Sequence, residues 1–209
     1  MDRDRDMVLP AVILAGGRAT RMGGGDKGLR PLGGQRLIER VIERLACCAP
    51  LALNANGDPA RLADLGLPVL ADSVPGHPGP LAGVLAGLDW AHGLGAAHIV
   101  TAAADTPFFP RDLADRLWRA RGASGLALAA TRGADGGLLR QPTFGLWPVA
   151  LRDDLRAALD GGLRKIVLWT DRHGAGVAEF TAGRFDPFFN INTPADMAAA
   201  EALIAQGAS

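Results

Sequence analysis

The sequence predicts an α/β fold in which one doubly wound, mostly parallel sheet carries helices on both faces. Short apolar runs of strand length alternate with amphipathic runs of helix length along the chain. Several apolar runs end in a polar residue, as expected where a ligand binds at strand ends. Of the 209 residues, 48% are hydrophobic and 21% are charged, which is enough apolar material for a sizeable core.

The predicted elements follow in order from residue 8. Apolar residues recur at helical spacing from Leu37 to Leu45, and Thr193-Pro194 is a typical helix N-cap followed by proline at the first helical position. The predicted strands are Val8–Leu14, Leu51–Asn54, Pro68–Ala71, His98–Ala103, Leu126–Thr131, Phe144–Trp147 and Val177–Phe180. The predicted helices are Leu37–Leu45, Pro59–Leu65, Leu81–Leu88, Asp112–Arg121, Leu151–Leu159 and Ala195–Ala205.

Some segments are predicted to lack regular secondary structure, and for others the sequence leaves the secondary structure undecided. Residues 72–80 must form a loop, because prolines and glycines interrupt any regular hydrogen bonding there. The run Leu163–Trp169 fits a helix and a strand equally, and the order of the glycine-rich segment Arg132–Arg140 stays open. Residues 1–7 alternate in charge and are expected to form a disordered tail, whereas residues 8–209 are expected to form one domain.

The charge balance excludes some classes of partner. Lys plus Arg and Asp plus Glu number 22 each, so no overall field draws the chain to nucleic acid or an anionic membrane. The apolar runs are too short for a signal peptide or a membrane span. The two cysteines, Cys47 and Cys48, are neighbours and provide no disulfide framework. We therefore expect a cytoplasmic protein that binds neither nucleic acid nor membrane.

The stretch from Leu14 to Lys27 connects the first strand to the following elements and is rich in glycine. It carries the cations Arg18, Arg21 and Lys27 and a single anion, Asp26. Glycines allow backbone N–H groups to approach an anion, and nearby cations add charge. The spacing matches neither a Walker A motif nor a dinucleotide fingerprint. The stretch therefore predicts a phosphate-binding loop of another kind.

Polar side chains also follow three other predicted strands. Asn54, Asp72 and Asp105 each stand at the carboxyl end of a strand, where ligands bind in doubly wound sheets. A carboxylate such as that of Asp105 suits Mg²⁺, which combines one or two carboxylates with substrate phosphates. Each residue alone could equally be a loop or capping residue. Their shared position predicts one polar site at this edge.

The motif Leu14-Ala-Gly-Gly-Arg-x-x-Arg-Met-Gly-Gly-x-Asp-Lys27 resembles the nucleotide loop of the molybdenum cofactor guanylyltransferases, which have the Rossmann-like nucleotidyltransferase fold. The resemblance spans about residues 8 to 205. The later motifs follow in the same order: Asn54-Ala-Asn56, Asp72-Ser73, Pro78-Gly-Pro-Leu-Ala-Gly83, Asp105-Thr-Pro107, Gln141-Pro-Thr143 and Asn190-Ile-Asn-Thr-Pro194.

The resemblance implies a role for each matching residue, with nucleotide binding in residues 8–110 and acceptor binding in residues 111–209. Ala104 departs from the family, where a cysteine is frequent, and is expected to supply packing alone. Arg21, Lys27 and Asp105 are implied to be catalytic, with Asp105 as the metal ligand. The implied nucleotide-binding residues are Leu14, Ala15 and Gly16 through their backbone, Lys27, Asn54, Asp72, Gly83 at the end of the base-pocket segment 79–83, and Asp105. Gln141, Asn190 and Asn192 are implied to lie on the molybdopterin side.

The resemblance implies transfer of GMP from GTP, with Mg²⁺ as cofactor, to the terminal phosphate of molybdopterin or Mo-molybdopterin, with release of pyrophosphate. Cofactor delivery further implies contact with other cofactor-assembly proteins. Three alternatives remain open at this stage. They are the sister reaction with CTP, a sugar-phosphate nucleotidyltransferase, and a GTP-binding regulatory module without transfer.

Overall fold

The computed structural model describes residues 8–16, 26–74, 79–133 and 136–207. The expected tail at residues 1–7 and the implied catalytic Arg21 lie outside these ranges. Within them, the chain forms a seven-stranded sheet, a small two-stranded sheet and six α-helices. The helices are α1 (Leu37–Arg44), α2 (Pro80–Gly93), α3 (Leu113–Ala120), α4 (Arg152–Asp160), α5 (Ile166–Arg172) and α6 (Pro194–Ala205).

The large sheet is mostly parallel, as predicted. Its strands are β1 (Ala11–Leu14), β4 (Leu51–Asn54), β5 (Val69–Leu70), β6 (His98–Ala103), β7 (Ala127–Arg132), β8 (Leu138–Pro148) and β9 (Gly176–Phe180). Their order is β5-β4-β1-β6-β8-β7-β9, and β8 alone runs antiparallel to its neighbours. The chain leaves β1 toward β4 and later returns to β6 on the other side, which places a topological switch point at the carboxyl end of β1.

Both faces of this sheet are covered, which confirms the doubly wound arrangement. On one face, α1 and α3 bury Val41 and Leu117 against the sheet. On the other face, α2, α4 and α5 bury Leu85, Leu155 and Trp169. Burial of each such side chain contributes about 1.5–3 kcal/mol.

A third and smaller core lies near the carboxyl edge of the sheet. It joins α6 to the hairpin of β2 (Pro31–Leu32) and β3 (Gln35–Arg36). Leu32 and Ile191 are completely buried in it, together with Leu37, Phe108 and Ala200. This packing holds the segment before α6 beside the loop that follows β6.

Two features of the strands differ from the sequence prediction. The β2–β3 hairpin was not predicted, because each of its strands has only two residues and shows no alternation. Gly33 and Gly34 form its turn with φ angles of 58° and 82°, which glycine adopts readily. Strand β8 begins at Leu138, not at the predicted Phe144, and contains Pro142; the β7–β8 register shifts between Leu128 and Ala129 at this point, which accommodates proline within a sheet.

The structure assigns the described residues of the two segments that the sequence leaves undecided. The run Leu163–Trp169 contributes to helix α5, and residues 132–133 and 136–140 belong to the β7–β8 hairpin. Cys47 and Cys48 are both free thiols, as expected. Within the described ranges, no helix has the length and apolar character needed to cross a membrane.

Candidate functional site

The side chain of Lys27 is the centre of the polar cluster at the carboxyl edge of the sheet. Its ammonium nitrogen donates to Oδ2 of Asp105 at 2.6 Å, to Oδ1 of Asn192 at 2.5 Å and to Oδ1 of Asn190 at 3.3 Å. The Lys27 side chain is 10% exposed and that of Asp105 is 21% exposed. Four implied site residues from three distant parts of the sequence therefore meet at one nitrogen atom.

The backbone around Asp105 explains why the two asparagines reach this cluster. The N–H of Ile191 donates to the carbonyl oxygen of Asp105 at 2.9 Å, and the buried Ile191 side chain anchors the segment. The following helix α6 starts with a capping box between Thr193 and Asp196. The Asp196 carboxylate accepts from the N–H of Asn192 at 2.8 Å, and this hydrogen bond is the main reason why its pKa is lowered. Asn192 is thus held by the helix start, which the sequence signal for the N-cap had located.

Lys27 approaches the end of β6 closely because its neighbour is a glycine. A Cβ atom on Gly28 would lie 3.3 Å from the Cβ atom of Ala104, which is tighter than most real contacts. Ala104 is buried, in line with the packing role expected for it. The small residues at positions 28 and 104 therefore bring Lys27 next to Asp105.

Arg44 stabilises the loop that follows Asp105. The sequence did not predict a functional role for this residue. Its buried guanidinium group donates to the carbonyl oxygens of Pro107 at 2.6 Å and of Phe109 at 2.5 Å. Burial lowers the pKa of Arg44 to about 10. In the sequence, this arginine is a basic residue in the last turn of α1, a position that usually reflects the helix dipole alone.

A second polar cluster connects the ends of β4 and β5. The amide of Asn54 donates to Oδ1 of Asp72 at 2.9 Å and to the carbonyl oxygen of Leu70 at 3.1 Å. Asn56 donates to Oδ2 of Asp72 at 2.7 Å and accepts from the N–H of Asp72 at 2.9 Å. The predicted pair Asn54 and Asp72 is therefore in direct contact, and Asn56, which belongs to the same sequence motif as Asn54, is a third member of the cluster.

Gly83 lies in the first turn of α2, directly against Asn54. A Cβ atom at this position would lie 2.1 Å from Oδ1 of Asn54 and 3.0 Å from Cδ2 of Leu14. No side chain fits at this distance without displacing Asn54. Gly83 thus determines how closely α2 approaches the end of β4.

Backbone groups at the carboxyl end of β1 form hydrogen bonds within the sheet. The carbonyl oxygen of Leu14 accepts from the N–H of Ala104 at 3.1 Å, and the N–H of Ala15 donates to the carbonyl oxygen of Asn54 at 2.8 Å. Among the described residues, no atom beyond the neighbouring positions lies within 4 Å of the place where a Cβ atom on Gly16 would stand. The carbonyl group of Leu14 and the N–H group of Ala15 are thus already paired within the sheet.

Gln141 lies on β8, and its side chain donates to the hydroxyl oxygen of Thr131 on β7 at 3.3 Å. The structure therefore places this implied acceptor-side residue on the β7–β8 hairpin, hydrogen-bonded within that hairpin. Its role toward an acceptor stays a prediction.

The oxygen atoms around Lys27 form a donor set that also suits Mg²⁺. One carboxylate and two amide oxygens are hard ligands of the type that this ion accepts, with substrate phosphates completing the shell. Among the residues described, no group of three or more His, Cys, Asp or Glu side chains could hold a metal by itself. A divalent cation here would thus combine Asp105 with the asparagine oxygens and ligand phosphates.

The two clusters lie on opposite sides of β1, at the switch point of the sheet. One presents a buried ammonium group, which suits phosphates, and a carboxylate, which suits a divalent cation. The other presents amide and carboxylate groups, which suit the polar edges of a nucleoside. This pair of clusters at the switch point of a doubly wound sheet is the arrangement expected of a nucleotide-binding protein, and the nucleotidyltransferases are one class of such proteins.

Comparison with known proteins identifies the family within this class. The model of the MobA-like NTP transferase domain matches residues 11–175, and the chain belongs to this family. It is 53% identical over 200 residues to a molybdenum cofactor guanylyltransferase of Rhodopseudomonas palustris, covering 93% of both chains. It is 51% identical over 203 residues to the protein of that name from a Bradyrhizobium species, covering 94% of this chain and 93% of the relative.

Solved structures support the same fold. The molybdopterin-guanine dinucleotide biosynthesis protein A of Archaeoglobus fulgidus superposes with a TM-score of 0.71 at 24% identity, covering 95% of this chain and all of the other. The 2-C-methyl-D-erythritol 4-phosphate cytidylyltransferase of Thermus thermophilus superposes with a TM-score of 0.68 at 22% identity and the same coverage. At these identities the two structures establish the fold alone.

Proposed function

We propose that this protein transfers GMP from GTP to the terminal phosphate of molybdopterin or Mo-molybdopterin and releases pyrophosphate. The observation that carries the proposal is the convergence of Asp105, Asn190 and Asn192 on the ammonium group of Lys27. It joins the nucleotide-binding part of the chain to the part implied to hold the acceptor. The guanylyltransferases that share about half of its residues support GTP and molybdopterin as substrates.

The chemistry requires charge and position more than proton transfer. An oxygen of the acceptor phosphate attacks the α-phosphorus of GTP, and the bond between this phosphorus and the bridging oxygen to the β-phosphate breaks. The attacking oxygen is already ionised near neutral pH, so no general base is needed. Positioning and charge stabilisation therefore supply the rate enhancement.

Each cluster has a separate task in this reaction. Asn54 and Asp72 orient the nucleoside, and Gly83 leaves room for Asn54 to do so. Lys27 donates to the phosphates and neutralises the leaving pyrophosphate, assisted by Arg21. Asn190, Asn192 and Gln141 lie on the molybdopterin side. Mg²⁺ held by Asp105 would supply further neutralisation of phosphate charge.

The wider setting of the reaction is also part of the proposal. We propose that the enzyme acts in the cytoplasm and passes its product to other cofactor-assembly proteins. We further propose that residues 8–209 act as one domain. Pairing of β6 from the nucleotide-binding half with β8 from the acceptor-binding half within one sheet supports this.

Mass spectrometry of the product formed from GTP, Mg²⁺ and molybdopterin tests the proposal. The expected product is molybdopterin guanine dinucleotide, with one pyrophosphate released per transfer. Competition between GTP and CTP in the same assay separates the proposed reaction from cytidylyl transfer. Turnover of a sugar phosphate, or GTP binding without pyrophosphate release from any acceptor, would contradict the proposed function.

A further inference from the structure

Arg61 links the two clusters although it belongs to neither. It lies in a short 3₁₀ helix, Pro59–Leu65, after β4. Its Nε atom donates to the carboxylate of Asp26, its Nη1 atom to the carbonyl oxygen of Asp58 at 2.5 Å, and its Nη2 atom to the carbonyl oxygen of Asn56 at 2.7 Å. All three nitrogen atoms of the guanidinium group are thus engaged.

Two of the three residues that accept hydrogen bonds from Arg61, Asp26 and Asn56, are directly connected to site residues. Asp26 directly precedes Lys27, so a fixed Asp26 fixes the backbone from which the Lys27 side chain extends. Asn56 exchanges two hydrogen bonds with Asp72, which in turn accepts from Asn54. A continuous chain of hydrogen bonds therefore runs from the residue before Lys27 to the nucleoside cluster.

The Arg61–Asp26 ion pair is partly withdrawn from water, with side-chain exposures of 30% and 20%. Fully exposed ion pairs contribute little. Here the same cation also donates to two carbonyl oxygens, and the planar guanidinium holds all three acceptors in one arrangement. Lysine, with a single nitrogen atom, could not hold all three in this geometry.

We infer that Arg61 is a positioning residue that fixes the spacing between the phosphate-binding Lys27 and the nucleoside-binding pair Asn54 and Asp72. The inference rests on the proposed function, because it concerns how GTP is held. Arg61 need not touch the nucleotide. Arg61 therefore increases the affinity for ligands that contact both clusters, but not the affinity for ligands that contact only one.

This selectivity can be measured by titrating three ligands, each with Mg²⁺: GTP, guanosine and pyrophosphate. For Arg61→Ala we expect the Kd of GTP to rise tenfold or more, while the Kd values of guanosine and pyrophosphate stay within twofold. Asp26→Ala should have the same pattern. Because both variants break one link, the double variant should be no worse than the more affected single variant.

Two further variants complete the design. Arg61→Lys keeps the charge but should recover less than half of the lost binding free energy, since it cannot bridge three acceptors. Arg119→Ala removes an exposed ion pair with Asp115 on α3 and should bind all three ligands as the wild type does. Thermal melting of every variant identifies general destabilisation.

The outcomes separate this inference from the proposed function. If the wild type transfers GMP and Arg61→Ala binds GTP within twofold of it, the inference alone is wrong. Equal weakening of GTP, guanosine and pyrophosphate in a folded Arg61→Ala variant also overturns it, because the role is then general support. A wild type that binds no GTP overturns the proposed function and this inference together.

Discussion

The ammonium group of Lys27 and the carboxylate of Asp105 form a short ion pair, 2.6 Å long, in a site where the lysine side chain is 10% exposed. Without a ligand, the cation compensates the carboxylate. A bound triphosphate would compete for the same ammonium group, and a divalent cation would compete for the carboxylate. The ion pair therefore holds both charged groups at the position where the triphosphate and the divalent cation would bind.

We expect Lys27→Ala and Asp105→Ala each to slow GMP transfer by a hundredfold or more, which corresponds to about 3 kcal/mol in the barrier. The reason is that each substitution removes a charge that faces the reacting phosphates. Initial rates of pyrophosphate release at saturating GTP provide the measurement. Near-normal rates in either variant would contradict the assigned roles.

Loss of one partner from a buried ion pair also destabilises a protein. Asp105→Asn is therefore the control for destabilisation in Asp105→Ala, since the amide oxygen of the asparagine still accepts a hydrogen bond from Lys27. We expect Asp105→Asn to melt closer to the wild type than Asp105→Ala does and yet to remain at least a hundredfold slower in transfer. Recovery of activity in this variant would show that hydrogen bonding, and not charge, is what Asp105 supplies.

Substitution of Asn192 tests whether the asparagines help to bind Mg²⁺ as well as the acceptor. Its amide oxygen lies 2.5 Å from the Lys27 nitrogen, whereas that of Asn190 lies at 3.3 Å. We expect Asn192→Ala to raise the Mg²⁺ concentration for half-maximal transfer at least threefold, with a smaller change for Asn190→Ala. Mg²⁺ titration of transfer rates measures this. A change in the KM for molybdopterin with no change in Mg²⁺ dependence would place Asn192 on the acceptor alone.

Much of this site could be predicted because it follows from the fold. Parallel strands bring their carboxyl ends to one edge, so Asn54, Asp72 and Asp105 could be assigned to the same edge of the sheet from the alternation of strands and helices. The Thr193-Pro194 signal likewise located the start of α6. In both cases a local pattern determines the position of a polar side chain.

Other contacts depend on packing between distant segments and carry no local signal. The two asparagines reach Lys27 because Ile191 is buried in the third core, which no spacing in the sequence indicates. Arg44 and Arg61 resemble solvent-facing residues of short helices, and their carbonyl acceptors appear only in the folded chain. The first half of β8 was not predicted because it contains Pro142. The register shift that accommodates this proline forms between two strands and has no local signal in the sequence.

The contact between Gly83 and Asn54 predicts a substitution that weakens nucleotide binding. In Gly83→Ala, the new methyl group would lie 2.1 Å from Oδ1 of Asn54, so the asparagine must turn away from Asp72. We expect the Kd of GTP to rise tenfold or more. Gly93→Ala, in the last turn of the same helix, meets no atom of the described residues within 4 Å and should leave the Kd unchanged, with a gain in stability of at most about 1 kcal/mol.

Nucleotide titration and thermal melting of the two glycine variants are compared directly. Equal GTP affinities would mean that Asn54 has no part in binding or that α2 shifts to admit the methyl group. A third variant, Gly87→Ala, distinguishes strain in the helix from loss of the site. Its methyl group would clash with Ile99 at 2.8 Å and Val12 at 2.9 Å, so it should lower stability while GTP affinity is retained.

His98, at the start of β6, predicts how stability depends on pH. Its Nδ1 atom is buried with no hydrogen-bond partner among the described residues, and burial lowers the pKa of the imidazole, with a smaller contribution from Arg121. Between the two pKa values the unfolded state binds more protons than the folded state, so stability falls as pH decreases below about 6.5. We expect His98→Gln to lose less stability than the wild type between pH 7.5 and pH 5.5, as measured by urea unfolding. The exposed His92→Gln is the matched control and should keep the wild-type slope; an equal slope in His98→Gln would show that another group causes the pH dependence.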